Sequence, residues 1–200
     1  MILLQKRQTS TKKDIRKTFI DLLNTKGFEN LTVSDIARGS KINRGTFYLH
    51  YVDKYDLMEK LEMEVIYDLK QIMLLDSDMN SINQNKPIDL IPYNLIVNAL
   101  YYIKDDFSFV SALSGKGGDH NFPGLIKDVL KETIQAKIDT FDHFQFSKKD
   151  IPEEYAIEIL LSGIIAIILV WIHKGGIESP EEIGRMIELT KTLSPNDLLL

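Results

Sequence analysis

Cysteine is absent from the 200 residues, and the sequence has only six prolines and one tryptophan. Without cysteine the chain has no disulfide bonds, no thiolate metal ligands and no cysteine nucleophile. The patterns G-x-S-x-G, H-E-x-x-H and G-x-G-x-x-G and the P-loop are absent too. These absences argue against hydrolase, metalloprotease and nucleotide-dependent chemistry, so we expect a protein that is not an enzyme and uses no cofactor.

Histidine is also too sparse for a metal site. The four histidines, His50, His120, His143 and His173, are scattered and show no H-x-x-x-H or comparable ligand spacing. We therefore expect no bound metal. The glycine-rich stretch at 115–118 reads GKGG, but it lacks the full spacing and the hydroxyl residue of a phosphate-binding loop.

No stretch of the sequence predicts an isolated membrane span or a secretion signal. In the most apolar region, residues 159–172 contain no charged side chain, and these fourteen residues are fewer than the about 20 that a span needs. Near the N-terminus only residues 1–4 form an apolar run, which is too short for a signal-peptide core. We expect a cytoplasmic protein without a membrane partner.

Strand-type alternation and internal repeats are lacking as well. Apolar residues instead recur at spacings of three and four along most of the chain, which is the periodicity of helices that bury one face. With 44% hydrophobic residues, the chain can bury the core of one or two small domains. The fold class that the sequence predicts is all-α.

Basic residues are in deficit overall, with a net charge of -5, but they are unevenly distributed. Residues 1–54 contain eleven Lys or Arg and five acidic residues, a local net charge of +6, and residues 55–200 have a net charge of -11. A basic head on an acidic body would steer DNA to one end of the molecule. The alternative is an ordinary solvated surface whose charges are unequal by chance.

Residues 32–51 read TVSDIARGSKINRGTFYLHY and predict two short helices joined by a tight turn. Thr32 has the character of an N-cap, with an acid three residues later in the reciprocal position. Asn43 is predicted to cap the second helix, over residues 44–50, in which Phe47 is the buried anchor. A supporting helix followed by a second helix with outward polar side chains is typical of a helix-turn-helix.

This stretch resembles the DNA-binding domain of the TetR family of bacterial transcriptional regulators, and the likeness covers residues 11–61. The residues on the family's recognition-helix pattern are Arg44, Gly45, Thr46, Phe47, Tyr48, His50, Tyr51 and Lys54. Two positions depart from it. Lys41 stands where the family usually has the turn glycine, so the turn must bend without it or use Gly39. Leu49 stands where many relatives carry a polar base-reading residue, so we expect fewer direct base contacts.

The resemblance implies a domain division and a DNA-binding surface. Residues 1–54 would form the DNA-binding domain, a connecting helix would cover 54–75, and 76–200 would form an effector-binding and dimerisation domain. Arg44 is the best candidate to reach a guanine edge, and the other contacts would position the head on phosphates. The residues expected to contact double-stranded DNA are Thr32, Lys41, Asn43, Arg44, Gly45, Thr46, Tyr48, His50 and Lys54.

Outside the helix-turn-helix motif, the positions of Pro, Gly and capping residues predict where further helices begin and end. The sequence predicts a first helix capped at Thr11 and ended by Gly27, a loop at 76–86, and a helix that starts near Pro87 or Pro92. Further helices are predicted over 107–113, 123–144, 153–174 and 179–193, the last with a capping signal at Ser179.

The helix predicted over 153–174 is apolar on all sides, which indicates burial both in its own subunit and against a partner. We therefore expect a homodimer that packs this helix and the last helix across a twofold axis, and that binds a palindromic operator. The expected interface residues are Leu161, Ile165, Ala166, Ile168, Ile183, Met186 and Ile187.

The resemblance also implies an effector pocket in the body, and a regulator that releases DNA when the effector binds. Members of the family mostly repress, though some activate, and the sequence does not decide between the two. The candidate lining residues are Tyr101, Tyr102, Phe107, Phe122 and Trp171. Few basic residues are available for an anion, so we expect a neutral or cationic, partly aromatic effector, with the loop at 114–121 as a gate. The alternative is a solid core in which these aromatics are plain packing residues and the regulator binds DNA constitutively or under the control of a partner protein.

Overall fold

The structure is a computed structural model that describes residues 10–74, 90–139 and 151–191. Within these ranges the chain forms nine helices and no strand, which confirms the all-α prediction. The helices are α1 (Ser10–Lys26), α2 (Val33–Gly39), α3 (Arg44–Tyr48), α4 (Lys54–Leu74), α5 (Tyr93–Asp105), α6 (Phe107–Ser114), α7 (Phe122–Ile138), α8 (Glu153–His173) and α9 (Pro180–Thr190). The predicted loop at 76–86 and the predicted helix end at Phe144 lie outside the described residues.

The chain divides into two compact units. The first comprises the described residues up to Val65 together with Ser108–Phe122, and the second comprises those from Ile66 to Phe107 and from Pro123 onward. The predicted division, with a DNA-binding domain at 1–54 and a connecting helix to residue 75, stays a prediction.

In the first unit, α1 packs against α2, and α2 packs against α3. Ile15, Phe19 and Leu23 recur at helical spacing and are fully or almost fully buried, so they anchor α1 in the core. Gly27 ends α1 with a φ of 74°, which confirms the predicted glycine cap. The predicted cap at Thr11 is wrong, because α1 already includes Ser10 and Thr11 lies within its first turn.

The glycine-rich loop after α6 is packed tightly within the first unit. The Phe28 amide donates a hydrogen bond to the Gly117 carbonyl over 2.8 Å. A side chain at Gly117 would overlap the carbonyl of Leu23 near the end of α1, which is why this position requires glycine. The loop therefore packs against α1, and its role as a gate stays a prediction.

In the second unit, α9 packs against both α5 and α8. The helix α5 begins directly after Pro92, so of the two predicted starts Pro92 is the right one. The predicted cap of α9 is confirmed. The Ser179 hydroxyl accepts from the Glu182 amide over 3.2 Å, and the Glu182 carboxylate accepts from the Ser179 amide over 2.8 Å.

The helix α8 is long and apolar enough to cross a membrane by length and composition, with 21 residues and a mean hydropathy of 2.4 over its most apolar part. The length argument drawn from the fourteen uncharged residues therefore does not exclude a span. Core helices of globular proteins meet the same criterion, and α8 buries a full face in its own chain. The buried residues are Ile157, Leu161, Ile164, Ile165, Ile168, Trp171 and Ile172.

Candidate nucleic-acid interface

The supporting helix α2 is fixed by a reciprocal cap at its N-terminus, as predicted. The Thr32 hydroxyl accepts from the Asp35 amide over 3.2 Å and donates to the Asp35 carboxylate over 2.8 Å. The same carboxylate pairs with Lys26 at 2.9 Å and with Arg38 at 2.8 Å. Hydrogen bonds from Lys26 and Thr32 lower the pKa of Asp35 to about 2. Because the hydroxyl proton of Thr32 is used within the cap, Thr32 has no donor left for a phosphate.

The turn between α2 and α3 bends at Lys41 itself. Lys41 has a φ of 56°, and its amide donates to the Arg38 carbonyl over 3.2 Å. The next amide, of Ile42, donates to the Ala37 carbonyl over 3.0 Å, which completes a Schellman motif. Gly39 remains inside α2, so the turn does not use it. A lysine therefore adopts the left-handed conformation that usually favours glycine.

The recognition helix α3 is shorter than predicted and lacks the predicted side-chain cap. It ends at Tyr48, and the His50 and Tyr51 amides both donate to the Phe47 carbonyl. Asn43 occupies the N-cap position with extended backbone, but its side chain makes no capping hydrogen bond. Phe47 is completely buried, which confirms it as the anchor of the helix.

Outward from Phe47, the side chains of α3 form a largely exposed surface. The Arg44 guanidinium donates to the Tyr48 hydroxyl over 3.2 Å and lies 6.0 Å from the centre of its ring. Tyr48 is 49% exposed, and Thr46 and His50 are half-buried. A side chain added at Gly45 would meet nothing within 4 Å, so the backbone is open to close approach there. This surface combines hydrogen-bond donors with an aromatic ring.

The Lys54 ammonium, which was predicted to contact phosphate, is hydrogen-bonded inside the first unit. It donates to the carbonyls of Phe28, Glu29 and Leu31 over 2.9, 3.1 and 3.2 Å. A lysine ammonium has three donors, and all three are used. The ammonium also lies 4.8 Å from the ring centre of Phe28. Lys54 therefore ties the segment between α1 and α2 to the start of α4.

Glu62 on α4 is a buried acidic side chain of the first unit, and no sequence pattern indicated a buried acid there. It is 6% exposed, and its Oε1 has no hydrogen-bond partner among the described residues. Burial, together with the negative charges of Asp119 and Glu59, raises the pKa of Glu62 to about 7. Glu62 lies where the helical spacing of apolar residues on α4 predicts a buried side chain. That spacing does not indicate that the buried side chain is acidic.

The second unit contains a small cavity enclosed by α4, α5, α7 and α8. Its volume is about 20 Å³, which is roughly the space of one water molecule. All the residues that line it are aliphatic or methionine. They are Leu69, Met73, Ile96, Ala99, Leu100, Ile103, Ile126, Val129, Leu130, Ile164 and Ile168.

None of the five aromatic residues predicted to line a pocket lies on this cavity. Tyr101 is 44% exposed and donates to the Glu181 carboxylate, and Tyr102 donates to the Asp68 carboxylate over 3.0 Å. Phe107 and Trp171 pack edge to face with ring centres 6.0 Å apart. Phe122 is fully buried and belongs to the first unit. The five aromatic residues therefore do not line this cavity, because hydrogen bonding and ring packing place their side chains elsewhere.

The structure also revises the residues expected at a dimer interface. Five of the seven are core residues with at most 8% exposure, because they pack within their own chain. They are Leu161, Ile165, Ile168, Ile183 and Ile187. Ala166 and Met186 are exposed. They lie on an exposed apolar stripe, which consists of Tyr155, Ile159, Ala166 and Val170 on α8 and Met186 and Leu189 on α9.

Comparison with known proteins identifies relatives of both parts of the chain. Residues 15–61 match the family model described as bacterial regulatory proteins, tetR family, and residues 92–191 match one described as a transcriptional regulator C-terminal region. An uncharacterized HTH-type transcriptional regulator of Bacillus subtilis strain 168, YxbF, is 26% identical over 185 residues. The match covers 89% of this chain and 44% of the relative, so the chain spans less than half the length of that protein.

Solved structures share the fold over most of the chain. A TetR transcriptional regulator from Streptococcus agalactiae 2603V is 22% identical with a TM-score of 0.60, covering 88% of this chain and 90% of that one. The dihydroxyacetone kinase operon activator DhaS is also 22% identical with a TM-score of 0.56, covering 90% of this chain and 93% of that one. At this identity the likeness concerns the fold alone.

Proposed function

Because the chain belongs to the TetR family of bacterial regulatory proteins and is a transcriptional regulator, we propose that it binds a palindromic DNA operator as a homodimer through α3. The observation that carries this proposal is the exposed surface of α3, where Arg44 and Tyr48 lie outward from the buried Phe47. A recognition helix of this kind enters the major groove. A cytoplasmic location agrees with this role.

The side chains of the head divide into base-reading, phosphate-binding and supporting groups. Arg44 is the donor that fits a guanine edge bidentately. Phosphate contacts come from the donors around it, and Gly45 allows close approach of the DNA. The phosphate-binding residues are Lys41, Asn43, Thr46, Tyr48 and His50. Thr32 and Lys54 support the head from within, since their donors are used by the protein.

The homodimer rests on the exposed apolar stripe of α8 and α9. Large apolar side chains on it include Ile159 at 66% exposure and Val170 at 57% exposure. A continuous apolar stripe on adjacent helices favours burial against a second copy of the chain. Two heads related by a twofold axis require two half-sites about 10 base pairs apart, in inverted orientation.

Regulation by a small molecule would require a cavity in the second unit that can hold it. The cavity that is present, of about 20 Å³, has no room for an organic molecule, which favours a regulator that binds DNA without a small-molecule effector. The ligand-responsive alternative requires the cavity to widen, and its lining restricts the effector to an uncharged aliphatic molecule. A thermal-shift screen that compares aliphatic with aromatic and cationic compounds separates these alternatives, since only the second predicts stabilisation, and only by the aliphatic set.

We propose repression as the outcome of binding. Repression requires only that the dimer occupy promoter DNA, whereas activation also requires a surface that binds RNA polymerase. One protein of similar structure is named an operon activator, so the fold alone does not determine whether the regulator represses or activates transcription. A reporter driven by a promoter that contains the operator tests it, with lower expression expected when the regulator is present.

The test of the proposed function is selection from a random duplex library with the purified chain, followed by footprinting. The proposal expects an inverted repeat to be enriched, and log K for that duplex should fall with log salt at a slope of about -0.9 per neutralised phosphate. Sedimentation should give a dimer at micromolar concentration. Failure to enrich any duplex would overturn DNA recognition, and enrichment of a single unrepeated half-site by a monomer would overturn the dimer.

A further inference from the structure

The residue that directly follows the recognition helix α3 is apolar. Leu49 is 81% exposed, the largest exposure among the large hydrophobic residues that the structure describes, and it continues the helical path of α3 with φ -70° and ψ -19°. Its amide donates to the Gly45 carbonyl over 3.2 Å, as in a helix. At about 100° per residue, Leu49 lies roughly opposite the buried pair Phe47 and Tyr51. It therefore occupies the centre of the exposed face.

The outward side of α3 and of the turn that follows it carries three pairs of residues spaced four apart, and the pair Thr46 and His50 is half-buried. Arg44 and Tyr48 form one polar edge and are joined by a hydrogen bond. Thr46 and His50 form the other polar edge. Between them lies an apolar strip, made of Gly45, which has open space around it, and Leu49. The polar groups thus flank an apolar centre.

We propose that Leu49 is a specificity-determining residue that contacts the 5-methyl group of a thymine in each half-site of the operator. This proposal rests on the proposed function, since it requires α3 to lie in the major groove. The methyl group of thymine is the apolar feature on base edges in that groove, and aliphatic side chains read it by contact. Gly45 is adjacent to Leu49 on this surface and has no side chain that would keep a base edge at a distance from Leu49.

The flanking donors favour DNA as the occupant of this strip over a second protein. The strip is two residues wide and is bordered by Arg44 on one side and His50 on the other. The segment 1–54, which contains it, has a net charge of +6. A narrow apolar centre within a basic, donor-rich surface matches a base edge between phosphate strands.

The experiment measures binding of the selected duplex in which single thymines are replaced by deoxyuridine, which removes only the methyl group. For the wild-type chain, one position in each half-site should lose about fourfold in affinity, as expected for uncovering one methyl-sized apolar group. Leu49→Ala should bind the thymine duplex more weakly and should no longer distinguish it from the deoxyuridine duplex. Leu49→Met, which keeps an apolar tip, should retain most of the discrimination.

A matched control is Met63→Ala, which truncates another exposed apolar side chain of the first unit, 53% exposed and on α4. It should leave the preference for thymine unchanged. The inference is overturned if deoxyuridine at every thymine binds the wild type equally well, if the selected half-site contains no thymine, or if Leu49→Ala loses affinity equally for both duplexes. Enrichment of a duplex with any of these results leaves the proposed function standing, whereas absence of enrichment would defeat the proposed function itself.

Discussion

At the scale of single residues, Lys54 shows how a motif residue acquires a role that its sequence position does not reveal. The ammonium donates to three backbone carbonyls between α1 and α2, so it holds two segments of the head together. A lysine at this place in the motif suggested a phosphate contact, because sequence alone cannot show which acceptors fold back within reach. The structure therefore predicts a change in stability where the sequence predicted a change in DNA binding.

Lys54→Met should keep the aliphatic stem and remove the three hydrogen bonds. We expect the free energy of unfolding to fall by about 1–3 kcal/mol, as measured by urea denaturation. Lys60→Met on the same helix is the control, because its exposed pair with Asp56 at 2.9 Å should contribute less than about 1 kcal/mol. Unchanged stability together with weaker binding of every duplex would return Lys54 to the phosphate-binding set.

Lys41 carries backbone strain in the turn, with its φ of 56°. Lys41→Gly should raise the free energy of unfolding by about 1 kcal/mol, because glycine adopts this conformation without steric cost. Ser34→Gly, at an exposed position inside α2, should instead lower stability by about 0.5–1 kcal/mol. Thermal or urea unfolding of the two variants checks the sign. If both variants were destabilised, the turn would not favour glycine at Lys41.

Glu62 should make the free energy of unfolding depend on pH. Its pKa rises from 4.5 to about 7 on folding, so the folded state favours the protonated carboxyl. The unfolded chain releases that proton at a lower pH, and stability should therefore decrease as pH rises from about 4.5 through about 7. Urea midpoints of Glu62→Gln should lack this decrease, and those of Glu29→Gln, an exposed glutamate of the same unit, should keep it. Identical pH profiles for the wild type and Glu62→Gln would refute the assignment.

At the scale of elements, the boundaries that depend on local chemistry could be predicted from the sequence. The reciprocal caps at Thr32 and Ser179 and the glycine end of α1 at Gly27 all form as predicted, because each uses residues within a few positions of one another. The left-handed Lys41 and the uncapped Asn43 could not be predicted in this way. Their conformations depend on how α2 and α3 pack, which no local pattern encodes.

The face that a helix buries was harder to predict when the helix is apolar on all sides. On α8 every face looks suitable for an interface, and the sequence could not tell Ile168, which is 7% exposed, from Ala166, which is exposed. The same difficulty affected the effector pocket, since aromatic content says nothing about which side chains meet at a cavity. Tyr101 and Trp171 have partners of their own, Glu181 and Phe107.

Two substitutions on α8 separate the interface from the core. Ala166→Arg should give a folded monomer, because the new charge lies on the exposed stripe and would be buried only against a partner. Ile168→Arg should unfold the second unit, because the charge would be placed inside the chain's own core. Sedimentation and circular dichroism of both variants check this. A dimeric Ala166→Arg would show that the stripe is not the interface.

At the scale of the whole molecule, the family and the all-α fold are established. The proposed function now depends on which residues contact DNA. Recognition requires donors that are not already used within the protein, and Thr32 and Lys54 use theirs in intramolecular hydrogen bonds. Arg44 is the proposed base-reading donor, and its guanidinium, which donates to Tyr48 over 3.2 Å, would have to turn toward DNA. The proposed reading of the operator therefore depends on the side chain of Arg44.

The most direct measurement is the affinity of Arg44→Ala for the selected duplex and for variants of that duplex changed at one base pair. We expect a loss of about 1–3 kcal/mol and a loss of preference at a single base pair in each half-site. Arg38→Ala, which removes the same charge from α2, where the side chain is 77% exposed, should weaken all duplexes alike and preserve every preference. If Arg44→Ala bound with the affinity and base preferences of the wild type, α3 would not read the operator through Arg44, and the central claim would be contradicted.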